Sequence, residues 1–503
     1  MAETKYIDPI RFPSYASQPT RDLRAWLLLL VSVLLPGGVQ LLFRARRWAK
    51  ISLSITAISW LLVIIAVVAI LINRTFAFTI GTNPYILTFL TIWVPVVGLN
   101  WVVCLFDTVR RIRLVTLSKK ARTRFLGAFC ALLLVVVGPL AWGTNILNSQ
   151  RGLVSDLFAS GKAAKPVDGR YNILLLGSDA GKGRTGIRPD SLSLVSIDAE
   201  TGKTVIIGLP RNMQNVPFPE DSPLNAVYPQ GFNCGSECLL NAVFQQGEKY
   251  KEKFPDPKRA GEQATMDAVS AVTGLEVQYY AMVNLKGFEN LIDSLGGITL
   301  VSGKRVPISS KVNKATGKHG PVKGWIEPGK QKLDGYHALW FARSREFSSD
   351  YERMIRQRCV QEAMVKQLDP ATVLTRYQDI AAATPGAVST DIPSSQVDMF
   401  VDLALKVKSQ KIESLDLTPP RVTPSQPDFA EARRLVANAI EKASTDAEKQ
   451  DSALSASTGV AAGVSAGMDT GVRVDASAGR ELAASASPDK GGDEDARAIC
   501  YVP

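Results

Sequence analysis

Residues 172–211 read NILLLGSDAGKGRTGIRPDSLSLVSIDAETGKTVIIGLPR. Asn172–Leu176 is a largely apolar run ended by Gly177, the pattern of a strand covered on both faces. Ser191–Asp198 and Lys203–Leu209 are further strands, separated by the turn residues Ala199–Gly202, and they read as a hairpin-like pair. Downstream, Glu262–Val272 reads as a helix, Val277–Val283 as a strand and Lys286–Ser294 as a helix closed by Gly296-Gly297. Tyr336–Arg345 reads as a strand or strand-like segment, and Asp350–Leu368 as a helix. Strands alternating with helices over Arg170–Lys442 make one α/β domain of ordinary size. No repeat with a period of about 20–50 residues points to a solenoid or propeller.

Upstream of this domain the chain changes character. Ile51–Ile72, Tyr85–Phe106 and Phe125–Ile146 each supply about twenty largely apolar residues without a charge, enough to cross roughly 30 Å of hydrocarbon. They are the expected spans of a membrane region over residues 25–146, after an N-terminal segment of residues 1–24. Trp26–Phe43 is interrupted by Pro36-Gly37-Gly38, so it reads either as a fourth span or as a re-entrant hairpin. It does not read as a cleavable signal peptide, since further spans follow. Between the second and third spans lie Arg110, Arg111, Arg113, Lys119, Lys120, Arg122 and Arg124, and short basic loops stay in the cytoplasm. Arg44, Arg46, Arg47 and Lys50 place the loop before Ile51 there too. The expected protein is therefore a multi-pass protein of the cell membrane with everything after Ile146 on the extracytoplasmic face.

The charge distribution agrees. The 503 residues carry a formal charge of +11, but residues 1–150 hold 16 Lys/Arg against 4 Asp/Glu, leaving 42 against 43 in residues 151–503. A basic excess confined to membrane flanks argues against a nucleic-acid partner, which needs Lys and Arg spread over a folded face. With 46% hydrophobic and 21% charged residues, a disordered or collagenous chain is excluded. Residues 147–168 read as a polar juxtamembrane linker and 169–443 as the exported α/β domain. In the tail, 444–503, the Ala/Ser/Gly-rich stretch Ser444–Asp489 has too little apolar surface to offset ordering entropy, so it reads as a disordered spacer. Cys104 and Cys130 fall in the spans. Cys234, Cys238, Cys359 and Cys500 lie outside, an even number where disulfides persist. Cys234 with Cys238 would close a small loop, and Cys359 with Cys500 would pin the C-terminus. Neither His319 nor His337 lies near the first pair, which disfavours zinc.

Several motifs fail on mechanism. Gly177–Lys182 is one residue short of a phosphate loop, and Gly183 replaces the hydroxyl that would meet magnesium. Gly463–Gly467 matches G-x-S-x-G only inside the low-complexity tail. Two histidines leave few bases for a serine triad. What remains is arginine and aspartate at the ends of apolar elements: Asp179 after the first strand, Arg188 and Asp190 before the second, Arg211 after the third. Ligands bind at such strand ends. Alternation through Trp340–Arg345 would project Phe341, Arg343 and Arg345 to one side, and Asp350, Arg353 and Gln357 share a helix face with Arg356 close by. Arginine forks suit phosphate, and two carboxylates at strand ends suit a magnesium ion. Together they describe a diphosphate site on a membrane-tethered domain, placed to take a diphosphate-linked lipid.

Over Arg170–Leu368 these residues resemble the LytR-CpsA-Psr family of cell-wall polymer ligases. The likeness runs through Asn172–Asp179, Arg188–Ser191, Leu209–Asn212, Gly287-Phe288 with Leu291–Gly297, Leu333–Arg345, and then Asp350, Arg353, Arg356 and Gln357. The resemblance implies an exported three-layer α/β domain with a central mixed sheet, preceded by three or four transmembrane helices, whose hydrophobic pocket holds a prenyl chain. It implies a phosphotransferase that moves a glycopolymer from a polyprenyl-diphosphate carrier to a peptidoglycan acceptor with Mg2+ (or Mn2+). By matching positions, Asp179 and Asp190 would hold the metal, and Arg188, Arg211, Arg343, Arg345, Arg353 and Gln357 would bind the diphosphate. Asp179, Arg211, Arg343 and Arg345 are then the catalytic candidates, Asp179 as base. The extra spans and paired cysteines look like actinobacterial members, whose polymer is often arabinogalactan. Asn212 stands where the family usually has Asp, and Ser191 where it usually has Thr. A hydrolase of the same lipid diphosphate and a non-catalytic binding protein for lipid-linked precursors are the alternatives.

Overall fold

The computed structural model describes residues 10–43, 46–72, 76, 80–81, 83–157, 163–178, 187–308, 321–367, 388–445 and 501–502. The chain divides into two compact units, Met1–Asp156 and Leu157–Pro503.

The first unit is helical: α1 (Gln18–Leu34), α2 (Gly38–Leu42), α3 (Arg46–Ile72), α4 (Pro84–Ile112) and α5 (Lys119–Leu157). Within it Arg47–Ile72, Pro84–Ile112 and Lys119–Gly152 are long and apolar enough to cross a membrane. Asn83 starts α4 by accepting from the backbone N–H groups of Tyr85 and Ile86, and Arg110 and Arg111 sit in its last turn, where the helix dipole favours cations. The first apolar run is a helical hairpin, broken at Gly37 with φ +97°. Arg11 Nε donates to Leu42 O at 3.1 Å, Arg24 Nε donates to Ile10 O at 2.8 Å, and the Phe43 ring lies 5.7 and 5.3 Å from the guanidinium carbons of Arg24 and Arg111. Both ends of the run therefore meet at the Arg111 end of α4. Trp101 Nε1 holds Val33 O at 3.2 Å, so the bend reaches back along α4.

The second unit is built on a six-stranded mixed sheet. Its strands are β1 (Arg170–Ser178), β2 (Pro189–Asp198), β3 (Thr204–Leu209), β4 (Tyr279–Asn284), β9 (Val388–Thr390) and β10 (Ile412–Asp416), in the order β10-β3-β2-β1-β4-β9. β1–β2, β2–β3 and β4–β9 are antiparallel, whereas β1–β4 and β3–β10 are parallel. The β2–β3 hairpin closes because Asp198 Oδ1 accepts from Thr201 N at 2.8 Å and Gly202 adopts φ +76°. Alternate residues face opposite layers, as period 2 requires. Leu174, Leu176, Leu192, Leu194, Ile207 and Leu209 pack on α7 (Ala260–Thr273) and the helix 429–445. Tyr171 and Ile173 pack on Leu403 of α11 (Val397–Ser409), and Val195 and Ile206 on its Val407. This is the three-layer mixed-sheet domain expected.

A smaller core lies beside the main sheet. β5 (Ile298–Ser302) pairs with β8 (Gly329–Leu333) and with β11 (Tyr501–Val502), and β6 (Val306–Ile308) pairs with β7 (Gly324–Ile326). Ile298, Leu300, Ile326 and Leu333 pack there with Phe341 of α9 (Gly335–Arg343) and Val360 of α10 (Asp350–Gln367). Helix α8 (Leu285–Ser294) adds Ile292.

Residues 335–343 are thus a helix and not the strand-like segment read from the sequence. Asp334 caps it by accepting from His337 N at 2.8 Å, and Ala338, Leu339 and Phe341 are buried on its inner side. A Cβ on Gly335 would lie 2.1 Å from Glu289 O, so only glycine lets α9 approach α8 this closely.

Cys234 and Cys238 form a disulfide. Cys359 is disulfide-bonded too, and Cys104 and Cys130 are free. Cys500 lies outside the described residues, as does the expected spacer from residue 446 to Asp489, whereas its first two residues, Ser444 and Thr445, are the end of the helix 429–445; Tyr501 and Val502 pair with Val301 and Ser302.

Candidate functional site

At the ends of β1, β2 and β4, a cavity of about 490 Å³ opens between the sheet and helices α8, α9 and α10. Its wall is apolar where Leu175, Ala281, Val283, Phe288, Leu339 and Met364 line it. Gly177 keeps the sheet end tight: a Cβ there would lie 3.0 Å from that of Ser191. Charge gathers at one side, where Asp190, Arg343, Arg345, Arg353 and Gln357 also line the cavity.

The charged residues form one network. Arg211 Nη1 lies 2.6 Å from Asp190 Oδ1, and Arg211 Nε 3.7 Å from Asp350 Oδ2. Arg345 reaches the same two carboxylates, at 3.7 Å (Asp190 Oδ1) and 3.5 Å (Asp350 Oδ1). Arg353, 2% exposed, pairs with Asp350 at 3.0 Å and donates to the main-chain oxygen of Asp190 at 3.1 Å. Three guanidiniums therefore share two carboxylates. Among the described residues, Arg211 Nε and Arg353 Nε are buried without a hydrogen-bond partner. Partial burial holds Arg345 below the usual arginine range, and the cations of Arg353 and Arg211 add to that while Asp190 and Asp350 offset it.

Arg356 holds the loop that carries Arg345. It is 5% exposed, and its guanidinium donates to Phe341 O at 2.8 Å, to Ser344 O, and to Ser348 Oγ at 3.1 Å. The sequence reading put Arg356 near the site without a role. Asp350, read there as part of a polar helix face, is the hub that orders three arginines.

Arg211, Arg343, Arg345, Arg353, Gln357 and Asp190 are brought together. Arg343 and Arg345 both reach the cavity, but as the last residue of a helix and a loop residue after it, with Arg343 5.2 Å from the Trp340 ring. Arg188 is exposed, and its Nε donates to Gln245 of α6 (Val243–Lys249) at 2.9 Å and not to a member of this network. Asp179 lies outside the described residues. Asn212 is exposed, and the acid that orients Arg211 is Asp190. For a divalent cation, Asp190 supplies a hard carboxylate oxygen at the cavity wall, 36% exposed, and both of its guanidinium contacts use Oδ1. A carboxylate accepts about four contacts through its two oxygens, so this residue fits magnesium as one ligand.

The sequence profile described as the LytR_cpsA_psr family matches residues 158–428. Among curated proteins, the chain is 27% identical over 274 residues to Biofilm regulatory protein A of Streptococcus mutans, covering 52% of this chain and 60% of that protein. It is 26% identical over 286 residues to the polyisoprenyl-teichoic acid–peptidoglycan teichoic acid transferase TagU of Oceanobacillus iheyensis, covering 54% and 78%. The match thus spans less than two thirds of the streptococcal protein's length. Among solved structures, that of B. subtilis TagV is 22% identical with a TM-score of 0.39, covering 54% of this chain and 96% of that one.

Proposed function

The chain belongs to the LytR_cpsA_psr family, and from that premise we propose that it transfers a glycopolymer from a polyprenyl-diphosphate carrier to peptidoglycan, forming a phosphodiester. The observation that carries this reading is the joining of a cation-rich network, Arg211, Arg345 and Arg353 on Asp190 and Asp350, to an apolar cavity of about 490 Å³. A diphosphate with a long apolar tail fits both halves. The cavity takes the start of the prenyl chain, and the guanidiniums take the diphosphate oxygens in bidentate fashion.

In the proposed reaction an acceptor hydroxyl attacks the phosphorus that bears the sugar. The bond from that phosphorus to the bridging oxygen breaks, and polyprenyl phosphate leaves with the oxygen. The hydroxyl proton passes to a base, for which we propose Asp179. Arg211, Arg345 and Arg353 stabilise the charge that builds on the departing phosphate, and positioning supplies the rest. Asp190, with Asp179, would hold Mg2+ (or Mn2+), which when bound supplies further positive charge beside the diphosphate. Arg343 and Gln357 would complete the diphosphate contacts. We propose that residues 157–503 work on the extracytoplasmic face, because the basic segments around Arg44–Lys50 and Arg110–Arg124 favour the cytoplasm. An arabinogalactan-type polymer is the cargo to test first, beside a teichoic-acid type.

The test incubates the detergent-solubilised full chain with a synthetic polyprenyl-diphosphate sugar, a peptidoglycan oligosaccharide and magnesium, and weighs both products. Sugar phosphate on the acceptor is the expected result. Free sugar phosphate with an unmodified acceptor would make the protein a hydrolase, and binding without turnover would make it a precursor-binding protein.

A further inference from the structure

Next to the diphosphate network lies a second feature that the reaction as written does not use. Phe347, two residues beyond Arg345, is 85% exposed and adopts φ +58°. A bulky residue in the left-handed region is strained, and such strain persists where the surroundings enforce it. Here Arg356 enforces it, through Ser344 O on one side and Ser348 Oγ on the other, and Ser348 N closes on Arg345 O at 3.3 Å. The ring is held out of the core and laid on Trp325 of β7, with ring centroids 6.2 Å apart and planes 17° from parallel. On Trp325 lies the Arg305 guanidinium, 4.3 Å from the ring centroid and itself held by Glu327 at 2.8 Å.

Trp325 also lines a shallow cleft of about 510 Å³ whose polar wall includes Glu327, Gln331, Asp334 and His337. Asp334 engages His337 through Nδ1 at 2.6 Å, which leaves Nε2 for a ligand. The cleft begins at the N-terminal end of α9, and the same helix ends at Arg343 in the diphosphate site. Nine residues at about 1.5 Å each set the two about 13 Å apart. Tyr336 and Trp340, one turn apart on this helix, are in edge contact at 6.3 Å.

We propose that this cleft and the Trp325–Phe347 platform form a glycan subsite, which takes pyranoside rings of a polysaccharide whose reacting end lies at the arginine network. A pyranose presents an apolar face of C–H groups that suits the electron-rich face of an aromatic ring, and a rim of hydroxyls that suits carboxylates, an amide and an imidazole. A flat exposed ring backed by a second ring, with those polar groups beside it, supplies both. A lipid chain would leave the polar wall unpaired, and a phosphate would meet the carboxylates of Glu327 and Asp334 with Lys332 as the one lysine or arginine among the lining residues. The inference rests on the transfer reading only for which glycans are at hand, the peptidoglycan acceptor or the first sugars of the donor.

Phe347→Gly tests it, because glycine removes the platform and relieves the backbone at the same position. With the full chain in detergent, the probes are a peptidoglycan tetrasaccharide, a polyprenyl-diphosphate disaccharide and sugar-free polyprenyl diphosphate. We expect an unfolding midpoint that is unchanged or higher, unchanged affinity for the sugar-free lipid, and about tenfold weaker binding of a glycan. Weakening of the tetrasaccharide supports the subsite and makes the acceptor its ligand. Weakening of the glycosylated lipid alone supports it and makes the donor its ligand. Equal affinity of variant and wild type for both glycans overturns it. Wild-type binding of a glycan that Phe347→Gly weakens, in a preparation without transfer activity, would sink the transfer reading and leave the subsite standing. Transfer by Phe347→Gly at the wild-type rate under subsaturating acceptor and donor would do the reverse.

Discussion

Arg345 and Arg356 stand eleven residues apart, and the proposed transfer gives them opposite duties, so truncating each should separate chemistry from scaffold. Arg345 is 43% exposed and makes its two carboxylate contacts at 3.5 and 3.7 Å. Loosely held pairs of that kind contribute no more than about 1 kcal/mol, so Arg345→Ala should leave the unfolding midpoint nearly unchanged. Its cost should fall on transfer, where removing one donor from a developing oxyanion lowers the rate by about 10²–10³-fold. Arg356 is buried and donates to three acceptors, two of them main-chain oxygens, Phe341 O and Ser344 O. Each buried acceptor left without a donor costs about 1–3 kcal/mol, so Arg356→Ala should destabilise the domain by roughly 2–5 kcal/mol. The assays are proteolysis of the full chain along a urea series, for stability, and transfer measured below the midpoint of each variant, for rate. Arg345→Ala that unfolds several kcal/mol more easily, or that keeps wild-type transfer, would refute the assignment.

Three further outcomes are expected. Filling the apolar cavity with Ala281→Phe should raise the KM for a prenylated donor while leaving the KM for the acceptor alone, which steady-state kinetics with each substrate varied in turn would show. Burial raises the Asp391 carboxyl to about 6, against hydrogen bonds from backbone N–H groups that lower it. The folded state then binds the extra proton between about pH 4 and 6, so stability falls as pH rises through that window, by on the order of 2–3 kcal/mol. Asp391→Asn keeps an oxygen for Tyr280 N and should flatten that stretch of the midpoint-against-pH curve. Cys234→Ser opens a loop of about five residues, for which chain entropy gives about 2 kcal/mol, read as a shift in the urea midpoint under non-reducing conditions.

The strands of the sheet were legible because two signals coincide: apolar runs long enough for a strand buried on both faces, and turn residues between them. Ser191–Asp198 and Lys203–Leu209 correspond to Pro189–Asp198 and Thr204–Leu209 for that reason. Segment 335–343 misled because Phe341, Arg343 and Arg345 also satisfy period 2, and a short run rich in aromatics suits a strand. The deciding signal was present in Asp334, a capping residue just ahead of Gly335, with Ala338 and Phe341 one helical turn apart. The candidate site survived that misreading since Arg343 ends the helix and Arg345 lies in the loop, so both side chains reach the cavity without a shared strand face. Arg188 did not gather with the others because a residue ahead of a strand has no fixed direction, and Gln245 of a helix far along the chain offers it an acceptor. Sequence spacing carries no information about such a partner.

What no spacing rule supplies is the pairing inside the site, and the pairing changes how the arginines work. Arg211, Arg345 and Arg353 crowd around Asp190 and Asp350, and at contact distance two like charges repel by about 4 kcal/mol in a partly solvated environment. Without the carboxylates the three guanidiniums would turn away from one another into solvent, and a diphosphate would have to gather them as it bound. Asp350 contacts all three and Asp190 two through its side chain, so the network stands assembled before a ligand arrives. The two acids cancel two of three positive charges, which weakens the attraction for any anion and leaves geometry to discriminate. In the proposed transfer that trade would favour the transition state over the bound substrate, because charge that appears only as the bond to the leaving phosphate stretches would meet donors already aimed. It also explains why an exposed Asn212 is tolerable beside Arg211: the orienting acid comes from the start of β2 and not from the neighbouring residue.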